Sequence, residues 1–424
     1  MSRPWKTLPV ISALLALPFS ARAVDLPISP DVPISVRIYG FLNGEVEWVR
    51  ALGGATPYTP RMRVSDGNSR FGIFGSWSIT PQTEVQVQLE ALLNAFEQGG
   101  VNDLGHVGTL TSRNTFVGVG DKRFGMLLVG YYDNAYRSLV GTGGGFGGNL
   151  GLTELGLDLW NNTTAAMSGG FANLFGRGEA RLPNSIHYRS PNLFGAQVDL
   201  SYGFDEAQAE GGRRDHFSAA ALYKFDRFGI GVGYDHQSNT GVDSDALLQG
   251  EGMRIVPVND VSTNFYKAIA SYTFSTGTYV GLGYERSVYG FANFTQPESG
   301  TVYSQVTYGT MSQGGAMASV AQQLGNFTLM GSVGKLGKLS NSIVGSGDDY
   351  QATQFSVGAK YAFGRPFMVY VYFSRVENKP QQNINLGVPI YSNNLGTSEA
   401  FLAPGNNPMA AGIGLIVRFG ETKS

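Results

Sequence analysis

The last strand candidate of the chain, residues 409–419, alternates apolar side chains with glycine and arginine. Successive side chains of a β-strand point to opposite faces, so one face of this segment is continuously apolar. The apolar set is Ala411, Ile413, Leu415, Val417 and Phe419. The opposite face holds Gly412, Gly414 and Arg418. Such a strand suits either a layer of a soluble sandwich or the wall of a barrel that separates lipid from water.

The N-terminus has the organisation of a secretory signal peptide. Two basic residues precede an apolar stretch over residues 8–19, and Ala21-Arg22-Ala23 forms a small-x-small cleavage site. A membrane anchor is the alternative, but the stretch is short and contains two prolines. We therefore predict a signal peptide over residues 1–23 and a single exported domain over residues 24–424.

Composition narrows the class of the exported domain. No later segment approaches the ~18 consecutive apolar residues of a spanning helix, so a membrane could be crossed only by a barrel. The chain has 59 glycines, 12% aromatic residues and no cysteine, which excludes disulfides and thiolate sites. Its formal charge is −2, and loss of the three signal-peptide bases makes it −2 − 3 = −5. This weak, dispersed charge does not indicate a nucleic-acid partner.

Strand-like segments recur along the whole exported chain. The alternation is cleanest over residues 84–93, where Val87 and Leu89 belong to one face and Gln88 and Glu90 to the other. About sixteen segments qualify: 34–48, 70–77, 84–93, 112–119, 124–131, 184–189, 196–202, 217–223, 228–236, 264–274, 279–287, 315–323, 327–336, 352–361, 367–375 and 409–419. Bacterial outer-membrane barrels have an even number of antiparallel strands.

The connections between these segments alternate in length. Minimal turns, such as residues 224–227 and 325–326, alternate with long stretches rich in glycine and polar residues. The long ones are expected near residues 49–69, 94–111, 204–216, 237–263, 288–314, 337–351 and 376–408. Short turns at one rim and long loops at the other are typical of an outer-membrane barrel. The sequence therefore predicts an all-β, sixteen-stranded antiparallel transmembrane barrel.

Five sequence fragments, in order, resemble the general diffusion porins of Gram-negative bacteria. They are Val36-Arg37-Ile38-Tyr39-Gly40, residues 69–75, residues 113–118, residues 184–191 and the terminal Arg418-Phe419. The resemblance covers essentially the whole exported chain. It implies an outer-membrane channel, without a cofactor, for passive diffusion of small hydrophilic solutes and ions.

The resemblance also implies a constriction inside the barrel. In this family the third extracellular loop folds inward, and here it would occupy the long strand-free stretch from Tyr132 to about Ala180. Its turn would be formed by Gly145, Phe146, Gly147 and Gly148. By motif position, Arg70, Arg113 and Arg181 would line the facing wall, and Glu154 and Asp158 would be the loop acids. Opposed rows of charge produce a transverse field that biases permeation.

A second interpretation of these arginines is that they only satisfy loop carbonyls and neighbouring carboxylates. The chain also departs from the family pattern. Gly145 stands where many relatives have an acid, Phe41 where some have a base, and Gly420 to Ser424 follow the usual terminal phenylalanine. The sequence therefore leaves the ion preference of the channel open.

Two other functional classes compete with a general diffusion channel. A barrel enzyme needs a converging nucleophile, base and orienting group, and no serine lies in a G-x-S-x-G elbow. A substrate-specific channel would use lumen aromatics, for which the candidates are Tyr39, Phe41, Tyr131, Tyr132, Tyr370 and Tyr372. The four histidines, His106, His187, His216 and His236, lack metal-ligand spacing.

The porin resemblance also has consequences for partners. It implies a homotrimer in which the second extracellular loop, about Phe96 to Thr111, latches onto a neighbouring subunit. The surroundings would be outer-membrane lipid and lipopolysaccharide.

Overall fold

The computed structural model describes residues 34–54, 58–65, 69–93, 110–140, 174–206, 212–242, 255–257, 259–294, 306–343, 345–364, 366–386 and 402–420. Eighteen strand segments form one antiparallel sheet. Two pairs of consecutive segments each continue a single strand, so the sheet has 18 − 2 = 16 strands. No helix in the described ranges is long and apolar enough to cross a membrane.

The sixteen strands follow one another around the sheet in chain order. They are β1 (Ile34–Gly53), β2 (Tyr58–Ser65 and Arg70–Ser78), β3 (Thr83–Leu93), β4 (Leu110–Ser112 and Thr115–Asp121), β5 (Gly125–Asp133), β6 (Arg181–Arg189), β7 (Ala196–Gly203), β8 (His216–Phe225), β9 (Phe228–Gln237), β10 (Thr263–Thr273), β11 (Thr278–Phe294), β12 (Val306–Leu324), β13 (Phe327–Leu336), β14 (Ala352–Ala362), β15 (Phe367–Asn378) and β16 (Asn406–Phe419). One four-residue helix, α1 (Ala135–Ser138), follows β5.

The last strand closes the sheet into a barrel. β16 pairs with β15 on one side and with β1 on the other, in register from Gly40 opposite Phe419 to Gly53 opposite Asn406. Closure leaves no unpaired edge in the wall, which a membrane-spanning sheet requires because lipid cannot hydrogen-bond the backbone. The predicted sixteen-stranded antiparallel barrel is confirmed.

The two rims of the barrel differ. At the rim where β1 begins, consecutive strands are joined by two to six residues, as at residues 226–227 and 190–195. The opposite rim carries the long connections, of which residues 134–180 and 379–405 are the longest. This is the asymmetry that the alternating connection lengths predict.

Two of the predicted loop ranges are wrong. The first was expected over residues 49–69, but β1 continues to Gly53 and β2 begins at Tyr58. The loop expected over residues 288–314 is largely strand, because β11 and β12 pair with each other as far as Phe294 opposite Val306. Residues 309–315 are rich in glycine and lack apolar alternation, so only the hydrogen bonds to the partner strand define them as β.

The inner and outer faces of the wall match the alternation of the sequence. On β1 the apolar side chains of Ile38, Leu42 and Val46 are 43–45% exposed on the outer surface. The intervening Glu45 and Glu47 point into the barrel and are at most 3% exposed. The wall thus presents apolar groups outward and charged groups inward, as a barrel in lipid requires.

Candidate functional site

Three arginines from separate strands point into the barrel, and we call them the arginine wall: Arg70, Arg113 and Arg181. Arg70 begins the second segment of β2, Arg113 lies between the two segments of β4, and Arg181 begins β6. Arg70 is 9% exposed, whereas the next residue on its strand, Phe71, is 36% exposed on the outer surface. Arg113 interacts electrostatically with both other arginines, so the three form one cluster.

Arg113 is held by an acid of the barrel wall itself. Its Nε lies 2.9 Å from Oε1 of Glu90, which projects inward from β3. The other carboxylate oxygen of Glu90 accepts a hydrogen bond from the Tyr39 hydroxyl at 2.9 Å. The guanidinium is therefore oriented by contacts on neighbouring strands.

A second acid, Asp133 at the end of β5, holds two arginines. Its Oδ1 lies 3.1 Å from Nε of Arg181 and 3.1 Å from Nε of Arg137 in α1. Asn114 completes the arrangement, because its Oδ1 accepts from Arg181 Nε at 2.8 Å and its Nδ2 donates to Asp133 Oδ2 at 2.9 Å. In this part of the wall, charged and amide side chains therefore form one network of ion pairs and hydrogen bonds.

Arg70 differs from the other two arginines. Its guanidinium lies over the ring of Phe41, 4.6 Å from the centroid, and within the described ranges it forms no ion pair. Among the described residues, the four guanidinium groups, counting Arg137, outnumber the two carboxylates that pair with them, those of Glu90 and Asp133, by 4 − 2 = 2. Neighbouring carboxylates thus satisfy part of the arginine wall, as the second interpretation expects, and leave an excess of positive charge.

Glutamates of β1 and tyrosines of β15 meet across the barrel seam. The hydroxyl of Tyr370 donates to Glu45, and that of Tyr372 lies within hydrogen-bond distance of two acceptors, Glu45 Oε1 at 2.8 Å and Glu47. Arg63 of β2 forms an ion pair with Glu47. These contacts bind the first and last parts of the sheet to each other through side chains on the inner face.

The remaining aromatic candidates contact residues on strands one or two positions away in the sheet. Tyr131 lies beneath the Arg181 guanidinium at 5.9 Å from the ring centroid. Tyr132 packs edge-on against Phe116 at 5.2 Å and against His187 at 5.3 Å. Tyr39 is bonded to Glu90 and Phe41 supports Arg70. Of the six candidates for a sugar-guiding path, Tyr370 and Tyr372 are the pair whose rings are neighbours, at 6.4 Å.

The connection between β5 and β6, residues 134–180, crosses the inner face of the barrel at both of its described ends. We call it the crossing connection. Its first end donates from Ala135 N to Ser201 Oγ at 3.0 Å on β7 and from Tyr136 N to Ser218 Oγ at 2.8 Å on β8. Its second end passes β12, where the Gly315 backbone leaves room for the carbonyl of Leu174.

Charged side chains of β9, β10 and β11 contact the two described ends of the crossing connection. Asn134 Nδ2 donates to Asp235 Oδ2 at 2.7 Å, and Arg177 Nε pairs with Glu285 Oε1 at 3.2 Å. Glu179 pairs with Lys267, which is fully buried. Burial raises the pKa of the Glu179 carboxyl, and the neighbouring Lys267 ammonium opposes that shift.

The middle of the crossing connection is not described. The predicted loop acids Glu154 and Asp158 and the turn Gly145 to Gly148 lie outside the described residues. The inward constriction therefore stays a prediction at this point, and the same holds for the signal peptide over residues 1–23.

Several site residues were missed by sequence reasoning. Glu90 carried a usable signal, because it belongs to the inward set of the cleanest alternating strand. Asp133, Asn114 and Glu285 carried none, since the contacts of the first two with each other and with the arginine wall, and the ion pair of Glu285 with the crossing connection, join residues 19 to 108 positions apart.

The histidines in the described ranges lie apart from one another. His187 contacts Ser185, His216 pairs with Asp235, and His236 contacts Asn264. Within the part of the chain that the structure describes, no three histidine, aspartate or glutamate side chains are grouped so that they could hold a metal ion. His106 lies outside these ranges.

Comparisons with known proteins agree with this geometry. The family model described as "Gram-negative porin" matches residues 11–381. No curated protein sequence matches the chain. Among solved structures, an anion-selective porin from Comamonas acidovorans has 16% identity and a TM-score of 0.63, covering 91% of this chain and 100% of that chain.

Two further solved structures have the same fold. The outer-membrane-expressed OmpT of Vibrio cholerae has 14% identity and a TM-score of 0.58, covering 91% of this chain and 98% of that chain. The Salmonella typhi OmpF, in a complex with daunomycin, has 16% identity and a TM-score of 0.55, with coverage of 91% and 98%. At these identities the likeness concerns the fold.

Proposed function

Because the chain belongs to the Gram-negative porin family, its barrel is a diffusion channel of the outer membrane, and we propose that small hydrophilic solutes and ions cross it passively. The observation that carries this proposal is the closed barrel with apolar groups outside and fixed charges inside. Family and fold indicate a channel without catalytic activity.

Pore activity can be measured directly. Purified, folded protein added to a planar bilayer should produce stepwise increases in conductance, because each inserted barrel adds one water-filled path. Liposomes that contain folded and inserted protein but stay impermeable to small sugars and salts would contradict the proposal.

We further propose that the crossing connection narrows this path. In the proposed arrangement the turn at Gly145 to Gly148 lies inside the barrel, and Glu154 and Asp158 face the arginine wall. Two observations support it: both described ends of the connection run along the inner face, and the wall carries an excess of positive charge. A transverse field between the two sides would orient polar solutes and disfavour apolar ones.

Ion selectivity tests the residues of this constriction. Replacing Arg70, Arg113 and Arg181 together by glutamine should move the reversal potential in a KCl gradient toward cation selectivity. The direction follows because positive charge is removed and the carboxylates of Glu90 and Asp133 lose partners. Replacing Glu154 and Asp158 should move the potential the opposite way.

A charge change outside the constriction is the control for this experiment. Arg123 lies in the short turn after β4, is well exposed and pairs with Asp121. Arg123→Gln should leave the reversal potential near the parental value. A triple variant that folds normally and also keeps the parental potential would show that the arginine wall does not face the permeation path.

We propose a homotrimer as the assembled form, with lipopolysaccharide and outer-membrane lipid against its outer surface. A solved structure of the Vibrio cholerae OmpT is a trimer form, which supports this assembly for a barrel of the same fold. The segment proposed as the latch, Phe96 to Thr111, lies mostly outside the described residues.

A further inference from the structure

We propose that Glu285 is the positioning residue of the pore: a single carboxylate that clamps both ends of the crossing connection to the inner wall. This inference rests on the proposed role of that connection as the constriction. Glu285 itself lies on β11, far from the arginine wall in sequence, and was not a candidate from the sequence.

Both oxygens of the Glu285 carboxylate are occupied by the crossing connection. Oε2 accepts from the hydroxyl of Tyr136 at 3.0 Å, which belongs to the first end, and from the backbone N of Gly176 at 3.1 Å, which belongs to the second end. Oε1 accepts from the backbone N of Arg177 at 2.9 Å and from its Nε at 3.2 Å. One side chain thus joins two segments that are 40 residues apart (176 − 136 = 40).

The charges around the clamp are balanced. Lys267 Nζ lies 3.5 Å from Glu285 Oε2 and also pairs with Glu179. Two acids, Glu285 and Glu179, therefore face two bases, Lys267 and Arg177, and none of the four is more than 7% exposed. Hydrogen bonds to an ionised acceptor in such a setting are stronger than those between neutral groups.

The clamp acts on the connection and leaves the wall intact. β11 is held by backbone hydrogen bonds to β10 and β12, to which the Glu285 side chain contributes nothing. The base of the connection has a separate attachment, because Asn134 N donates to Ala180 O at 2.9 Å and its side chain reaches Asp235 on β9. Glu285 lies two strands further along the inner face, so it holds the connection at a second place, through Tyr136, Gly176 and Arg177.

Loss of the clamp should therefore increase the number of brief current transitions while the barrel still folds. The change weakens four hydrogen bonds that join both described ends of the connection to β11. Replacing the ionised acceptor by a neutral one typically shifts an equilibrium that depends on such bonds by about tenfold or more. We expect Glu285→Gln to give channels with about tenfold more brief current transitions than the parent, with unchanged heat modifiability.

A matched control is available in Glu47→Gln. Glu47 is an inward, fully buried glutamate with a tyrosine and an arginine among its partners, as Glu285 is, but these two partners, Tyr372 and Arg63, lie on strands. Its channels should have the parental current noise. The inference would be overturned if the Glu47 and Glu285 variants had the same frequency of current transitions, or if the Glu285 variant had the parental frequency.

A second pair of variants covers the case in which Glu285→Gln does not fold. Tyr136→Phe removes only the hydrogen bond from the first end to Glu285, whereas Tyr132→Phe removes a hydroxyl bonded to Arg189 on the wall. Channels of Tyr136→Phe should show more brief current transitions than the parent, whereas channels of Tyr132→Phe should match the parent. If neither variant shows more current transitions than the parent, the hydrogen bond to Glu285 is not required for a steady current, and the inference is wrong.

A variant lacking residues 147–168 separates this inference from the function that it rests on. If the deletion raises single-channel conductance while the Glu285 and Tyr136 variants stay quiet, the constriction is supported and the clamp is rejected. If the deletion leaves conductance unchanged, the crossing connection does not narrow the pore, and the role of Glu285 fails with it.

Discussion

At the scale of single residues, one position in the strand decides whether a side chain meets lipid or the lumen. Val87 and Gln88 are neighbours near the middle of β3, yet Val87 is 44% exposed on the outer surface, while Gln88 donates from Nε2 to the backbone O of Asn114 at 3.0 Å. Both residues pair with the same two neighbouring strands, so they differ in the face of the sheet toward which the side chain points.

Substitution by arginine at these two positions should change the free energy of unfolding by very different amounts. Val87→Arg should lower the free energy of unfolding by about 2–4 kcal/mol, because a charge on the lipid face is most costly near mid-bilayer. Gln88→Arg should change it little, since the lumen is polar. Urea titrations of refolded protein in lipid vesicles, followed by heat modifiability, measure both. Equal losses would mean that the register of β3 is misassigned.

At the scale of elements, the glycines of β16 explain how the barrel is closed. Tyr370, Gly414 and Glu45 lie side by side on β15, β16 and β1, and Tyr372, Gly412 and Glu47 form the next such row. A Cβ on Gly414 would lie 2.2 Å from the Tyr370 ring, and one on Gly412 would lie 2.5 Å from the Tyr372 ring. The tyrosines reach the glutamates of β1 only because these glycines leave room for the rings.

Gly414→Ala should therefore displace Tyr370 and break its hydrogen bonds to Glu45 and Asn43. We expect a loss of about 1–3 kcal/mol in the free energy of unfolding, typical of overpacking a filled site. Gly331→Ala is the matched control, because the nearest heavy atom to its Cβ would be Ser356 O at 3.6 Å, an ordinary contact. Chemical denaturation of both variants in the same vesicles compares them. A Gly414 variant as stable as the control would refute the packing argument.

At the scale of the whole molecule, the barrel is stabilised by continuous backbone pairing and by the seam between β16 and β1. Every strand in the wall has a hydrogen-bonded neighbour on each side, including the first and the last. Because each strand is paired on both sides, we expect such a barrel to unfold as one unit and to need heat to collapse it in detergent. The apolar outer surface is then available for lipid.

The proposed assembly leads to a prediction at this scale. Unboiled protein should migrate in gels as a trimer, and boiled protein as a monomer, because only heat disrupts the closed barrels and the contacts between them. A variant lacking residues 98–107 should migrate faster than the trimer without boiling and still shift on heating, since it would lose the latch and keep the barrel. Light scattering that detects only monomers of the parent in mild detergent would rule out the trimer.

The sequence by itself determined the class of the fold and the face of most wall residues. Period-two alternation assigned Val87 and Leu89 to one face of β3 and Gln88 and Glu90 to the other, and the connection lengths distinguished the two rims. These properties are local, since each depends on a few consecutive residues. The five porin-like fragments likewise identified the family from short stretches. By motif position in that family, the resemblance also selected Arg70, Arg113 and Arg181, whose side chains all point inward.

Only the tertiary structure decided which groups meet. Glu285 contacts Tyr136 across 149 positions of sequence, and the partners of Arg113 and Arg181 follow from strand registers that no local pattern encodes. The length of β12 was decided in the same way, because its glycine-rich half is a strand only when it is paired with β11. In a closed barrel, register and closure set every long-range contact, so the lumen chemistry emerges only once all sixteen strands are in place.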